Sequence, residues 1–204
     1  MKNVLIFDYD GVLIDSFDLF MDHFLSSCRK YGFKGVYNKE SFLKLFNGNM
    51  YESMFNMGLS KEQILKIVLN VKKSLIKDQE KIKFFDGIKE SLENLSKNNI
   101  LIVVTSNDTE VVERYFKSKK IDFFDEIVGS DKEPSKIKKI EYIKSKYSGE
   151  NFYYFGDTTG DIIEGKNAGV KTVAVTWGWH DKAILKNEEP DYILESISDL
   201  KDFS

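Results

Sequence analysis

A four-residue apolar run, Val4–Phe7, stops at an acidic residue, Asp8. A run this short and this uniformly apolar suits a strand buried on both faces of a parallel sheet. Comparable short runs return at 100–104, 126–128, 151–155, 171–175 and 192–194, with stretches of helical period between them. Parallel strands need crossover connections, and helical crossovers return the chain to the same sheet. The order therefore predicts an α/β fold, a doubly wound three-layer domain around a parallel sheet. In such a sheet the carboxyl ends of the strands share one edge, where ligands bind.

The alternation is interrupted once. After Asp15 or Ser16, either of which can cap a helix, Phe17, Phe20, Met21, Phe24 and Leu25 recur at helical spacing. Short helices are expected over 39–46 and 50–57, on either side of the turn Asn47-Gly48-Asn49. Ser60 caps a longer helix whose stripe is Ile64, Leu65, Ile67, Val68 and Val71. Residues 16–83 thus read as a small all-helical cap inserted after the first strand, beside the catalytic edge and placed to act as a lid. Residues 1–15 and 84–204 form the Rossmann-like core. Cys28 continues the first cap helix as a small core residue.

Composition narrows the function classes. The 204 residues suffice for one sizeable core plus a small accessory domain. Net charge is −3, and the lysines are interleaved with acids, so nothing attracts nucleic acid or anionic lipid. A single cysteine excludes an intramolecular disulfide and a Cys-rich zinc site. The only histidines, His23 and His180, lie far apart, which argues against a His-based metal site or a Ser-His triad. No signal-peptide pattern precedes the first strand, and no apolar stretch approaches a membrane span. A cytoplasmic protein with no membrane partner is the expectation.

The strand ends carry the chemistry. Asp8 and Asp10 follow the first strand, Thr105, Ser106 and Asn107 the second, Gly129, Ser130, Lys132 and Lys136 the third, and Asp157 and Asp161 the fourth. Two carboxylates as close as Asp8 and Asp10 repel unless one is protonated or a cation lies between them. Either solution serves catalysis, because an ionised Asp can attack phosphorus and a protonated one can supply the leaving group's proton. Asp is also common in turns, the bland reading of Asp8 and Asp10 taken alone. The other three strand ends weigh against it. Together they offer a nucleophile, an acid, hydroxyl and amide donors, a cation and oxygen ligands, which is the equipment of phosphoryl transfer.

Four segments in order carry a resemblance: Asp8-Tyr9-Asp10-Gly11-Val12-Leu13 through Asp15-Ser16, Val103-Val104-Thr105-Ser106-Asn107, a lysine near Pro134-Ser135-Lys136, and Gly156-Asp157-Thr158-Thr159-Gly160-Asp161. The chain resembles, over nearly its whole length, a haloacid dehalogenase (HAD) superfamily hydrolase of the helical-cap branch. Within it the chain is similar to phosphoglycolate phosphatases. The resemblance implies a magnesium-dependent phosphatase acting on a small phosphorylated metabolite such as phosphoglycolate or a sugar phosphate. Asp8 would be the nucleophile, forming an aspartyl-phosphate, and Asp10 the general acid and base. Thr105 would bind a phosphoryl oxygen, and Gly11, Ser106 and Asn107 lie with it around the phosphate. Lys136 would neutralise charge; Lys132 is the alternative. Magnesium would be held by Asp8, the Asp10 carbonyl, Asp157 and Asp161, the last directly or through water. Asp161 could equally be a helix N-cap.

Asp10 favours phosphate esters, because the true dehalogenases lack this second acid. A phosphosugar mutase shares all four motifs and stays open, as does a non-catalytic binding protein on the same fold. Substrate choice is assigned to the cap, with Asn49 as the candidate contact; an ordinary loop is the rival reading. Trp177-Gly178-Trp179 resembles a stretch of phosphoglycolate-type relatives and is expected to pack, with His180 facing solvent. The assembly is expected to be a monomer or a homodimer.

Overall fold

The computed structural model describes residues 2–204. In chain order, β1 (Val4–Phe7) and β2 (Ile14–Asp15) precede four helices, α1 (Phe17–Lys30), α2 (Lys39–Leu43), α3 (Met50–Asn56) and α4 (Lys61–Asp78). β3 (Lys83–Phe84) leads into α5 (Ile88–Ser96), β4 (Ile100–Val104), α6 (Thr109–Ser118), β5 (Glu126–Val128) and α7 (Lys136–Lys146). Then come β6 (Phe152–Gly156), α8 (Thr159–Asn167), β7 (Lys171–Val175), α9 (Lys182–Lys186), β8 (Tyr192–Leu194) and 3-10 turns over Ile197–Phe203.

Six strands form one sheet in the order β5-β4-β1-β6-β7-β8, and each neighbouring pair is parallel. All four β1 residues are buried, as a central parallel strand covered on both faces requires. Side chains alternate between the faces. Val4 and Ile6 join Ile102, Val104 and Tyr154 in a cluster closed by Ile140 and Ile143 of α7. Phe7, on the other face, stacks on Phe155 with ring centroids 4.5 Å apart, and Phe155 meets Phe203 edge-on. Each fully buried side chain of this kind contributes on the order of 1.5–3 kcal/mol. The sheet's apolar middle therefore stabilises the fold and leaves its polar edge available for chemistry. The strand order runs away from β1 in both directions, so the winding reverses there. The carboxyl end of β1 opens into the crevice that such a reversal creates.

The chain divides into two compact units: residues up to Asp15 with Phe84–Ser204, and Ser16–Lys83. The first holds the six-stranded sheet. The second is helical apart from its last residue, where β3 begins. In it α1 packs on α4, with Phe24, Cys28, Ile67 and Val71 all buried. The Ser27 hydroxyl donates to the Ile67 carbonyl at 3.0 Å. Ser60 and Gln63 make a reciprocal capping box that starts α4, and Asn38 and Ser41 do the same for α2.

Several local details differ from the sequence reading. The buried stripe of α4 is Ile64, Ile67, Val71 and Leu75, whereas Leu65 is 56% exposed and Val68 half-buried. Ser16 takes the N-cap position of α1, but its hydroxyl makes no cap bond. Its backbone is near-helical rather than extended, so the side chain is not aimed at the first turn. Residues 44–46 tighten into a 3-10 turn after α2. β2 and β3, two residues each, are too short for alternation to reveal them.

Candidate active site

Asp8 stands one residue past β1, where Phe7 pairs with Val103 on one side and Phe155 on the other. Its N–H donates to the Phe155 carbonyl at 2.9 Å, extending the ladder by one bond. Its Oδ1 accepts from the Tyr9 N–H at 2.8 Å, and its Oδ2 accepts from Lys136 Nζ at 2.8 Å. Lys136, the first residue of α7, also donates to Asp161 Oδ1 at 2.6 Å. Lys132 is exposed and donates to the Ile127 carbonyl at 2.7 Å. Of the two candidate lysines, Lys136 is the one on Asp8.

Carboxylate oxygens of Asp8, Asp157 and Asp161 lie within 4.8 Å of one another, and all three residues are buried. The four-residue spacing of Asp157 and Asp161 does not act through one helical turn, since α8 begins at Thr159. Asp157 lies on the loop before it. Asp157 Oδ2 accepts from the Trp179 N–H at 2.8 Å. A Cβ on either Gly11 or Gly178 would overlap Asp157 Oδ2, so two glycines clear the space around this carboxylate. Gly11, at φ +77°, also adopts a backbone conformation open mainly to glycine. Asp157 Oδ1 is buried and has no hydrogen-bond partner among the described residues.

Asp161 is fully engaged. Oδ1 accepts from Lys136 and from the Tyr154 hydroxyl at 2.9 Å. Oδ2 accepts from the Thr158 N–H at 3.1 Å and its hydroxyl at 2.7 Å. Thr158 is the N-cap of α8, and Asp161 is the reciprocal N3 member of its capping box. Asp161 is therefore not itself the N-cap.

The electrostatics follow from three buried carboxylates around one ammonium. Burial pushes the Asp8 carboxyl up to about 7, with Lys136 pulling against it and Asp161 adding to it. Burial, reinforced by the charges of Asp161 and Asp8, pushes Asp157 well above the usual carboxylate range. At Asp161 burial also opposes the charge, but Lys136 and the Thr158 and Tyr154 donors outweigh it and hold the group low. Lys136, with 12% of its side chain exposed, is largely desolvated, yet Asp161 and Asp8 keep it firmly protonated. The cluster is short of positive charge. A hard divalent cation fits it: every donor is an oxygen, Asp157 Oδ1 lacks a partner, and the charge would relieve the mutual repulsion. Asp8 and Asp157 have the ligand atoms for it. Asp161, with both oxygens in use, could reach it only through water or by releasing a donor.

Thr105 is fully buried at the end of β4. Its Oγ1 accepts from the Asn107 N–H at 3.0 Å, which leaves its own proton to donate. The Asn107 amide donates to Asp10 Oδ2 at 2.6 Å. Asn107, read from sequence as a phosphate contact, is thus bonded to the acid candidate. Ser106 is exposed. Asn49 lies in the helical unit as the N-cap of α3, where Oδ1 accepts from Tyr51 and Glu52 N–H at 3.0 and 3.3 Å.

Sequence reading missed or misplaced three features. His180 is buried rather than facing solvent. Its Nδ1 accepts from the Thr159 N–H at 3.1 Å, and its backbone N–H donates to the Asp157 carbonyl at 3.1 Å. Gly178 and the Trp179 N–H brace Asp157, a task beyond the packing expected of that stretch. Lys139 is fully buried and donates to the Thr105 carbonyl. The one signal that could have found it, Lys136, Lys139, Ile140 and Ile143 at i, i+3, i+4 and i+7 on one helix face, is masked by Lys138, Lys144 and Lys146 on the same helix.

Fold and site together define an α/β enzyme whose carboxylate centre sits where a doubly wound sheet reverses. The chain belongs to the haloacid dehalogenase-like hydrolases, whose family profile matches residues 5–175. It is 30% identical to the pyrophosphatase PpaX of Bacillus mycoides, over 97% of this chain and 94% of that protein. Among solved structures it resembles a haloacid dehalogenase-like hydrolase from Streptococcus pneumoniae, with TM-score 0.81 and 29% identity over 100% and 99% of the two chains. A predicted phosphatase from Clostridium acetobutylicum shares the fold, with TM-score 0.84 and 24% identity over 99% and 97%.

Proposed function

We propose that this hydrolase is a magnesium-dependent phosphatase of small phosphorylated metabolites, working through an aspartyl-phosphate on Asp8. The observation that carries the reading is the Lys136 ammonium shared between Asp8 and Asp161, beside the buried Asp157. It holds a potential nucleophile, a fixed cation and oxygen ligands at one point. Asp8 Oδ attacks phosphorus while the bond to the leaving oxygen breaks, and Asp10 gives that oxygen its proton. Asp10, now ionised, takes a proton from water as the water attacks the aspartyl-phosphate; inorganic phosphate leaves and Asp8 is restored. Lys136 neutralises charge on Asp8 and the phosphoryl oxygens, and the Thr105 hydroxyl donates to one of them. Asn107 holds the Asp10 carboxyl in place. Bound by Asp8, the Asp10 carbonyl and Asp157, with Asp161 behind, magnesium would supply further charge neutralisation.

The substrate is a phosphate monoester or a phosphoanhydride. The second is favoured by the relationship to proteins described as pyrophosphatases, at 28–30% identity along almost the whole chain. Release of phosphate from p-nitrophenyl phosphate, pyrophosphate, phosphoglycolate and sugar phosphates, with and without magnesium, tests both. Asp8→Asn and Lys136→Ala are expected to lower turnover by at least about 10³-fold, the scale of losing a nucleophile or its charge partner. Lys132→Ala should stay close to wild type. Full turnover by Asp8→Asn would end the mechanism, and sugar phosphate isomerised without phosphate release would point to a mutase.

A further inference from the structure

Lys139 is 0% exposed. Burying an ammonium costs several kcal/mol and is normally offset by a paired carboxylate. Among the described residues Lys139 has no such pair. Its Nζ donates to one neutral group, the Thr105 carbonyl, and it sits on the same face of α7 as Lys136. A methionine would suit the adjoining Ile140 and Ile143 better. Something other than packing therefore accounts for a charge here.

The partner suggests what. The turn after β4 and the start of α6 are tied to neighbouring segments by several bonds. Lys139 holds the Thr105 carbonyl, the Ser130 N–H donates to the Asn107 carbonyl at 2.8 Å, and Asp131 Oδ1 accepts from the Thr109 N–H and hydroxyl at 2.6 and 2.9 Å. Of these anchors only Lys139 carries positive charge. It also fastens the turn to the helix that begins with Lys136.

We infer that Lys139 is a positioning residue for phosphate binding: its buried ammonium fixes the Thr105–Asn107 turn and adds a second positive charge behind a bound dianion. The inference rests on the phosphatase reading. Burial pushes the ammonium down to about 8, and Lys136 pushes the same way, while Asp8 on β1, Glu164 on α8 and Glu133 before α7 partly offset them. The group is poised, so a phosphate dianion arriving nearby strengthens its hold on the proton.

Calorimetric titration of the magnesium-loaded protein with inorganic phosphate at pH 7, 8 and 9, in buffers of different ionisation heat, tests this. The wild type should take up part of a proton on binding at pH 8, in excess of the same measurement on Lys139→Met. Lys139→Met should bind phosphate at least about 10-fold more weakly at pH 7 while unfolding cooperatively at or above the wild-type temperature. Lys139→Gln keeps a donor for the carbonyl without the charge; it should also lose the excess proton uptake, and it carries the test if Lys139→Met does not fold. Wild-type affinity and proton uptake in the folded variants would overturn the inference. Failure of the wild type itself to bind phosphate or cleave any phosphate compound would overturn the phosphatase reading, and this inference with it.

Discussion

At the scale of single residues, the site depends on what is absent as much as on what is present. Asp157 can stand where it does because neither Gly11 nor Gly178 carries a Cβ. Gly178→Ala would push the carboxylate aside, and displacements near 1 Å commonly lower rates about 100-fold. We expect such a loss of kcat with weakened magnesium affinity, while Gly48→Ala, which meets nothing within 4 Å, leaves both unchanged. Paired kinetic and metal titrations decide; an active Gly178→Ala would remove the packing argument. The strand-end acids were legible in sequence, because polar residues that interrupt apolar runs need a reason. Lys139 was not, because α7 reads Lys-Ile-Lys-Lys-Ile-Glu-Tyr-Ile-Lys-Ser-Lys and a lysine-rich helix looks solvated throughout. Neither was the Asn107 link to Asp10, which joins residues 97 positions apart.

At the scale of elements, the helical unit shows how far periodicity reaches. Ile64, Leu65, Ile67, Val68 and Val71 make a wide apolar arc, but a unit this small has little interior with which to cover it. Ile67 is fully buried, and Leu65 is on the outside. Ile67→Ala should therefore destabilise by about 2–5 kcal/mol, and Leu65→Ala by less than about 0.5 kcal/mol. Urea unfolding followed by circular dichroism would separate them, and equal effects would contradict the assigned face. The start of α4 was legible because Ser60 precedes the apolar stripe as a cap, and the structure adds Gln63 as its capping-box partner. The missing cap at Ser16 was not, because it turns on a backbone angle that composition does not encode.

At the scale of the whole molecule, the proposed role of Asp8 and the stability of the fold oppose one another. In the metal-free fold Asp8 keeps its proton to about pH 7, whereas an unfolded Asp releases it near about 3.9. Between those values the folded chain binds more protons than the unfolded one. This contribution to stability therefore falls as pH rises through the window and levels off above about 7. Asp8→Asn lacks the slope. In chelator at pH 8 it should melt at least about 2 °C above the wild type, the shift expected from about 1 kcal/mol at this size, with the gap closing towards pH 4. Thermal scans across that range check the sign; a variant melting below the wild type at pH 8 would refute it. The parallel sheet and its helical interruption were legible in the order of runs. The strand order was not, since it is set by pairings between distant segments.

The central position of β1 has a consequence for biosynthesis. The strand is made well before its partners, which begin at Ile100 and Phe152. At about 5–20 residues per second, translation leaves this apolar segment without neighbours for roughly 5 s or more. The helices made in the interval close contacts near in sequence and can collapse at once. The nascent chain therefore acquires its accessory unit before its catalytic frame, and β1 stays open to chaperones until β4 and then β6 have been made.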